Sequence, residues 1–335
     1  MFLRIIKTAL ILAHALILSL AGWLILESRG ALAAKAQPVL FDVEKGKGVR
    51  VIAETLKLKG IIRKQWPFVL QYEFFFFPQS LKAGEYQFQP SQSSQEILED
   101  LIRGKIYLHA VTVAEGLTAR ELTDVFLSAG FGTSGEFFKA FGEAELIFPW
   151  DAKARNLEGY LFPETYSLPK GLPAKEIFGK MVSLFKAVFD ESWRRRAEEL
   201  RMSVREVVTL ASLIEKETSL PEEKKLVSAV FHNRLDRGMK LDCDPTIIYA
   251  LKEKGLFDGR LHTKDLKLDN PHNTYLYPGL PPGPICNPGR ESLRAALYPA
   301  SDDYFYFVSR NDGSHIFSRT LKEHQAAVRK YQRPF

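Results

Sequence analysis

The stretch that decides the fold lies between residues 203 and 221 and reads SVREVVTLASLIEKETSLP. Ser203 and Glu206 have the spacing of a capping box, in which the N-cap hydroxyl and the residue three positions later share hydrogen bonds at a helix start. The helix that follows is apolar on almost every side, which is typical of burial by several neighbours. It ends near Glu217, and Pro221 fits the first position of another helix. The sequence therefore predicts a buried helical hairpin with carboxylates at its bend.

Glu215 is the carboxylate that this pattern places in apolar surroundings. At about 100° per residue it lies over Val208 and Ala211 rather than on a solvent-facing stripe, so we expect a partly desolvated side chain. Loss of water favours the protonated form of a carboxyl, which a general acid needs. Glu217 projects from another side of the helix and is the weaker candidate. The alternative interpretation is that both carboxylates simply mark the solvated end of a core helix.

Length and composition exclude several classes of protein. A chain of 335 residues is long enough for two folded units, and 46% hydrophobic with 26% charged residues excludes wholesale disorder. Two cysteines, Cys243 and Cys286, are too few for a disulfide scaffold, although one bridge is possible. The net charge of +6 suits an anionic surface without requiring nucleic acid. HExxH, P-loop and GxSxG motifs are absent from the sequence and the seven histidines lack metal-ligand spacing, so we expect no metal or other cofactor. The basic run Arg194–Arg196 is followed by Glu198 and Glu199, which indicates a solvated helix face, so we expect no nucleic-acid partner.

An apolar N-terminal stretch predicts a membrane anchor. The nineteen residues Thr8–Leu26 contain no Asp, Glu, Lys or Arg, and as a helix they would be about 28 Å long, enough to cross a bilayer core. Arg4 and Lys7 precede the stretch, so the positive-inside rule favours a cytoplasmic N-terminus. The alternative is a cleaved signal peptide ending near Ala31-Leu32-Ala33, but the apolar stretch is longer than such peptides usually have. Both interpretations place the remaining chain outside the cytoplasm.

The sequence predicts an α+β protein in three parts. Residues 1–37 would form the cytoplasmic N-terminus, anchor and linker, residues 38–108 a small α+β module, and residues 109–335 a larger α+β domain with the helical hairpin. The aromatic run Phe74–Phe77 in the small module is interpreted as core, because large exposed apolar patches are uncommon. An exposed binding patch is the alternative.

Two other segments place polar side chains where an elongated ligand could meet them. Asp244-Pro245-Thr246 precedes an apolar helix, so Asp244 fits an N-cap followed by proline at the first helical position. Asn273 and Tyr275 lie at the start of a proline-rich loop that extends to Gly289. Because prolines restrict the backbone in advance, this loop could form a stiff wall of a groove.

Four of these motifs, in this order and spacing, resemble the bacterial endolytic murein transglycosylases, the MltG or YceG-like family. The segments are Ala211–Thr218 (ASLIEKET), Phe231–Leu235 (FHNRL), Asp244–Thr246 (DPT) and Leu280–Ile285 (LPPGPI). A loop containing Leu157-Glu158-Gly159 and Pro163-Glu164-Thr165 also matches. The resemblance covers the whole exported chain. It implies a single inner-membrane anchor, a LysM-like module over residues 38–108 and a C-terminal catalytic domain.

The resemblance also implies an activity. Members of the family are lyases that cut the β-1,4 bond between N-acetylmuramic acid and N-acetylglucosamine within nascent peptidoglycan strands, forming a 1,6-anhydro end and terminating elongation, with peptidoglycan synthases as possible partners. One carboxyl can then act as acid and afterwards as base. Glu215 is expected to be this catalytic residue. Substrate binding or positioning is expected of Glu158, Glu164, Glu217, Asp244, Thr246, Asn273 and Tyr275.

Two rival functions stay open at the level of the sequence. One is a hydrolytic muramidase, in which Glu158 or Glu217 would supply the second carboxylate that ordinary glycosidases use. The other is a non-catalytic, membrane-anchored glycan-binding scaffold, which the LysM-like module would support.

Overall fold

A computed structural model describes residues 6–8, 10–15, 18–19, 22, 37–89 and 91–332 of the chain. About half of the predicted membrane anchor, residues 8–26, lies outside these residues. In the part of the chain that is described, no helix has both the length and the apolar character needed to cross a membrane. The anchor therefore stays a prediction.

Short strands and helices are mixed in the first half of the chain, and six helices follow one another between the fourth and fifth strands. The elements are β1 Val39–Val43, α1 Val49–Leu58, α2 Gln65–Gln71 with a π-helical turn Tyr72–Phe76, β2 Gly84–Phe88, α3 Ser94–Arg103, β3 Leu108–Thr112, α4 Ala119–Ser128, α5 Ser134–Phe141, β4 Thr165–Pro169, α6 Ala174–Val188, α7 Glu191–Glu199, α8 Val204–Glu217, α9 Pro221–Asp236, α10 Asp244–Glu253, α11 Arg290–Leu297, β5 Tyr306–Ser309, β6 His315–Ser318 and α12 Leu321–Tyr331. The strands pair two by two, as β1–β2, β3–β4 and β5–β6. The predicted α+β class is confirmed.

The described chain forms two compact units. The first contains the residues up to His109 together with Ser167–Lys170, and the second contains Ala110–Tyr166 and the chain from Gly171 onward. The chain passes from the first unit to the second within β3 and returns briefly through β4.

The first unit packs helices onto an antiparallel strand pair. Val39 of β1 lies opposite Phe88 of β2, and Phe41 lies opposite Tyr86. The buried faces of α1 and α3 join these strands in a continuous apolar core. Ser93 begins α3 with a capping box, which satisfies backbone N–H groups at the helix start.

The aromatic run Phe74–Phe77 is mostly not part of this core, so the prediction for it was wrong. Phe74 is 71% exposed, and Phe75 and Phe77 are each 66% exposed. Only Phe76 packs against the core residues. Consecutive helical residues point about 100° apart, so a turn at the edge of a small unit can bury only some of four adjacent rings. The remaining three form an exposed surface.

Helix α8 is the central helix of the second unit. Its residues Val207–Ile214 are all buried, with α7, α9, α10 and α11 packed around it. The capping box of Ser203 and Glu206 is present, and α9 begins at Pro221 and packs against α8. The predicted buried hairpin is therefore confirmed. Cys243 and Cys286 are buried free thiols, so they do not form the bridge that the sequence allows.

Candidate active site

Glu217, the last residue of α8, lines a cavity of about 660 Å³ in the second unit. The start of α10, the turn at Tyr275 and the hairpin β5–β6 contribute the other walls. Arg234, Asp244 and His315 bring three charged or titratable side chains into the same cavity. A cavity of this size can hold a drug-sized ligand or a short piece of a sugar chain.

The surroundings of Glu217 favour a proton-transfer role. Burial raises the pKa of Glu217 to about 7, and the negative charge of Asp244 acts in the same direction. A hydrogen bond with the thiol of Cys243 and the charges of His315 and Arg234 oppose this rise without cancelling it. The residue keeps some solvent exposure because its side chain opens into the cavity. A carboxyl that titrates near neutral pH can both give and accept a proton.

Asp244 is held by Tyr275 and does not cap its helix. Cys243 occupies the N-cap position of α10, and Asp244 is the first helical residue, so the N-cap interpretation of Asp244 was wrong. Its carboxylate instead accepts a hydrogen bond of 2.7 Å from the Tyr275 hydroxyl. A negative charge in the first turn is still favoured by the helix dipole. The carboxylate is thereby fixed on the cavity wall beside Glu217.

Asn273 shapes the turn that carries Tyr275. Its side-chain amide donates to the carbonyl oxygens of Leu266 at 3.1 Å and Leu268 at 2.8 Å. Its side-chain oxygen accepts a hydrogen bond from the backbone N–H of Tyr275 at 3.0 Å. Asn273 is completely buried, so these contacts make it a positioning residue rather than a sugar contact.

Thr246 has a similar positioning role. Its hydroxyl donates to the carbonyl of Cys243 at 2.7 Å and lies 3.0 Å from the hydroxyl of Thr274. The Thr274 hydroxyl in turn accepts from the backbone N–H of Cys243 at 3.0 Å. These contacts join the turn to the start of α10, and so keep Asp244 and Tyr275 at a fixed separation.

Glu215 lies in a different environment from Glu217. One carboxylate oxygen accepts a hydrogen bond from Lys224 Nζ at 3.1 Å, and the other accepts from the backbone N–H of Gly289 at 3.0 Å. The Glu215 side chain is 8% exposed and that of Lys224 is 5% exposed. The side chain is therefore buried as the sequence predicts, but it is engaged in a buried ion pair and a backbone hydrogen bond. Glu215 does not line the cavity of Glu217.

Glu115 completes this second cluster. Its carboxylate lies 3.8 Å from Lys224 Nζ. Burial and the neighbouring charge of Glu215 raise the pKa of Glu115, and Lys224 acts in the opposite direction. Two carboxylates thus share one buried lysine at the junction of α8, α9 and the segment before α11.

Glu158 is buried and holds three chain segments together. One of its oxygens accepts hydrogen bonds from the backbone N–H of Ala119 at 3.0 Å and from the side-chain amide of Asn287 at 3.1 Å. Glu164, in contrast, is exposed and accepts from the backbone N–H of Thr165 at 2.8 Å. Neither carboxylate lines the cavity of Glu217. The structure thus brings together Glu217, Asp244 and Tyr275 from the predicted set.

Comparison with known proteins identifies the family. A family model described as the YceG-like family matches residues 41–330. This chain belongs to the YceG-like family. It is 31% identical over 310 residues to the endolytic murein transglycosylase of Bacillus subtilis strain 168, covering 88% of this chain and 84% of that protein.

Two further YceG-like comparisons agree. The chain is 28% identical over 325 residues to the endolytic murein transglycosylase of Streptococcus pneumoniae strain D39, but it spans only 58% of the length of that protein. The crystal structure of a putative yceG-like protein from Listeria monocytogenes superposes with a TM-score of 0.60 at 31% identity, covering 86% of this chain and 98% of that chain.

Lys224, the partner of Glu215, and His315, which lines the cavity of Glu217, are residues that the sequence reasoning missed. Lys224 could have been found. It lies on one face of α9 with Val227, Ser228 and Phe231, at the spacing of successive helical turns. A lysine on an otherwise buried face needs a buried acidic partner, which Glu215 supplies. That mismatch between position and charge is the signal that could have revealed the pair.

Glu158→Gln is expected to flatten the dependence of stability on pH. Burial raises the pKa of Glu158 to about 8, so the folded protein holds its proton more tightly than the unfolded chain does. The stabilisation is complete below the unfolded pKa of about 4.3 and is lost as the pH rises through about 8. Glutamine keeps the acceptor for Ala119 and Asn287 but cannot ionise.

Melting temperatures measured from acidic to mildly alkaline pH test this expectation. The wild type should lose stability as the pH rises, whereas Glu158→Gln should lose less. Glu164→Gln is the control, because Glu164 is exposed and its replacement should keep the wild-type slope. Equal slopes for the wild type and Glu158→Gln would contradict the role of this buried carboxyl.

Proposed function

We propose that this chain is an endolytic peptidoglycan lytic transglycosylase, a lyase that cuts the bond between N-acetylmuramic acid and N-acetylglucosamine within glycan strands. One observation carries the proposal: Glu217, with a pKa of about 7, opens into a cavity of about 660 Å³ at the helical bend. The names of the relatives in Bacillus subtilis and Streptococcus pneumoniae support the same activity.

Glu217 performs both proton transfers of the reaction. As an acid it protonates the glycosidic oxygen, and the bond from that oxygen to C1 of the muramic acid breaks. As a carboxylate it then takes the proton from the C6 hydroxyl, whose oxygen bonds to C1 and closes the 1,6-anhydro ring. The carboxyl is regenerated and water is not consumed. The negative charge of Asp244, held by Tyr275, favours the positive charge that develops on the sugar ring.

Glu215 is the alternative catalytic residue, as the sequence alone favours. Its contacts with Lys224 and Gly289 stabilise the carboxylate, so it would have to leave an ion pair before it could act as an acid. We therefore give it a positioning role, in which it fixes the end of α8 that carries Glu217. Glu158, Thr246 and Asn273 also position the site, through the buried contacts described above.

Mass spectrometry of purified murein digested by the protein tests the function. The lyase should release fragments that end in 1,6-anhydro-N-acetylmuramic acid, each lighter by one water than the product of hydrolysis. Products with reducing ends would support the muramidase instead. Glycan binding without any released fragment would leave the scaffold as the remaining function.

Asp244→Asn is expected to move the alkaline limb of the pH profile to lower pH. The charge of Asp244 helps to raise the pKa of Glu217, so its removal lowers that pKa. An acid catalyst loses activity as the pH rises through its pKa in the free enzyme, and kcat/KM should therefore begin to fall at lower pH. Tyr275→Phe is the control, since it removes the hydrogen bond but keeps the charge. If the alkaline limb of the pH profile did not move in Asp244→Asn, a group other than Glu217 would be responsible for that limb.

The chain is further proposed to be a single-pass protein of the bacterial inner membrane. The apolar stretch Thr8–Leu26 would anchor it with the N-terminus in the cytoplasm and both units exported. The first unit would be a LysM-like module that binds glycan strands. Cutting nascent strands next to peptidoglycan synthases would terminate their elongation.

A further inference from the structure

Phe74, Phe75 and Phe77 form an exposed aromatic patch on the first unit. They project from the π-helical turn that follows α2, while Tyr72 and Phe76 of the same turn pack against the core. The turn is thus fixed from inside, and its three outer rings face solvent. Together they leave on the order of 400 Å² of apolar surface in water, as much as the largest patch of a typical monomer, and such patches often have a function.

Basic residues are concentrated in the segment that leads to this aromatic patch. Between Lys45 and Lys64 the sequence contains seven Lys or Arg residues and one acidic residue, Glu54. This basic segment includes α1, which packs against α2, the helix that leads into the turn with the aromatic patch. Lys57 and Arg63 are exposed. Within the turn itself, Glu73 is an exposed acidic residue.

We infer that the aromatic patch inserts into the interfacial region of an anionic bilayer and that the basic segment binds the lipid headgroups. Aromatic side chains concentrate at the boundary between headgroups and acyl chains. Lys and Arg residues near that boundary are attracted to anionic lipids, and the combination of apolar insertion with such attraction is typical of proteins bound to a membrane surface.

Charge favours a lipid surface over a second copy of this chain. Two copies joined through their patches would bring two basic segments together, and like charges would oppose the contact. An anionic bilayer carries the opposite charge, so it would attract the basic segment. The sequence thus places an exposed apolar patch and a basic segment close together in the same unit.

The proposed anchor makes the bilayer accessible to this unit. Leu26 ends the apolar stretch, and the continuously described part of the first unit begins eleven positions later, at Gln37. Eleven residues span at most about 40 Å when fully extended, so an anchored chain keeps the first unit near the membrane. This step rests on the membrane anchor given under the proposed function, whereas the chemistry of the patch does not.

A fluorescent label beside the patch tests the inference in the full-length chain. Gln79→Cys, two residues after Phe77, receives a polarity-sensitive fluorophore and leaves all three rings in place; the native Cys243 and Cys286 are buried. The protein is mixed with vesicles of phosphatidylglycerol and phosphatidylcholine that carry a nitroxide on an acyl chain. Gln325→Cys, an exposed glutamine of the second unit, is the matched control.

We expect blue-shifted emission at position 79 and quenching about threefold stronger than at position 325, because only the patch enters the interface. Substituting the three phenylalanines with serine, or replacing phosphatidylglycerol with phosphatidylcholine, should reduce both effects. Equal quenching at the two positions would overturn the inference. If the blue shift disappeared when the sample held fewer than one chain per vesicle, the patch would instead bind a second copy of the chain.

Flotation of the variant in which Phe74, Phe75 and Phe77 are serine reports on the anchor separately, and the murein digest reports on catalysis. Failure of this variant to float would remove the proposed anchor, while the label at position 79 in the chain with its three rings intact would still report on the patch. The three results are therefore independent.

Discussion

Replacing Glu217 with glutamine is expected to lower the rate of glycan cleavage by about 10³-fold, because an amide can neither donate nor take the proton. Glutamine keeps the size of the side chain and removes a carboxyl that is costly to ionise in its buried setting, so the folded state should be retained. Release of anhydro-ended fragments from murein, measured by mass spectrometry, gives the rate. Circular dichroism and a melting curve check the fold.

Glu215→Gln is the matched variant, two positions away on the same helix. It should lower the free energy of unfolding by about 2 kcal/mol, less than the usual cost of breaking a buried ion pair, because Glu115 stays within 3.8 Å of Lys224. Activity per folded molecule should fall far less than in Glu217→Gln. The reverse result, with cleavage lost in Glu215→Gln and kept in Glu217→Gln, would return the catalytic role to Glu215.

Gly159→Ala is expected to destabilise the second unit by about 4 kcal/mol. Gly159 has a φ of +85°, and a Cβ there would lie 2.5 Å from Cβ and Cγ of Pro284 and 2.9 Å from Cγ1 of Val208. The proline ring is rigid and Val208 belongs to the buried helix α8, so neither neighbour can yield easily. Urea unfolding measures the loss.

Gly171→Ala is the control that separates the cost of backbone strain from the cost of steric contact. Gly171 has a φ of +72°, but a Cβ there would have no neighbour within 4 Å. Only the cost of the left-handed backbone should remain, about 1 kcal/mol. Similar losses in the two variants would show that the contact with Pro284 is not what requires glycine at position 159.

Local signals made much of the fold predictable. The capping boxes at Ser93, Thr118 and Ser203 depend on residues only three positions apart, and all three are present. The β-hairpin β5–β6 and the proline start of α9 likewise depend on short-range chemistry. Such features form from neighbouring residues, so the sequence contains all the information that they need.

The environments of the two carboxylates could not be predicted in the same way. A helical period shows which residues of α8 surround Glu215, but not that Lys224 and Gly289 reach it from other elements. Glu217 looked weaker because its neighbours on α8 say nothing of a cavity built by segments that follow much later in the chain. Long-range packing therefore decides which carboxylate lines the cavity.

The aromatic run shows a second limit of sequence patterns. Hydrophobicity alone favours burial, but the core of a unit this small is already filled by residues such as Phe41, Phe68 and Phe88. Geometry at the unit's edge left Phe74, Phe75 and Phe77 outside. The sequence could show that the rings are apolar, but not that no space remained for them.

The two contacts that hold Glu215 also affect the position of Glu217. Lys224 of α9 and the N–H of Gly289 hold one carboxylate from different directions, so α8 resists turning about its own axis. Glu217 lies two residues further along the same helix, so the direction of its side chain depends on the rotation of α8 about its axis. Weakening the Lys224 contact would let Glu217, the proposed proton donor, turn away from the cavity, although neither Lys224 nor Glu215 lines that cavity.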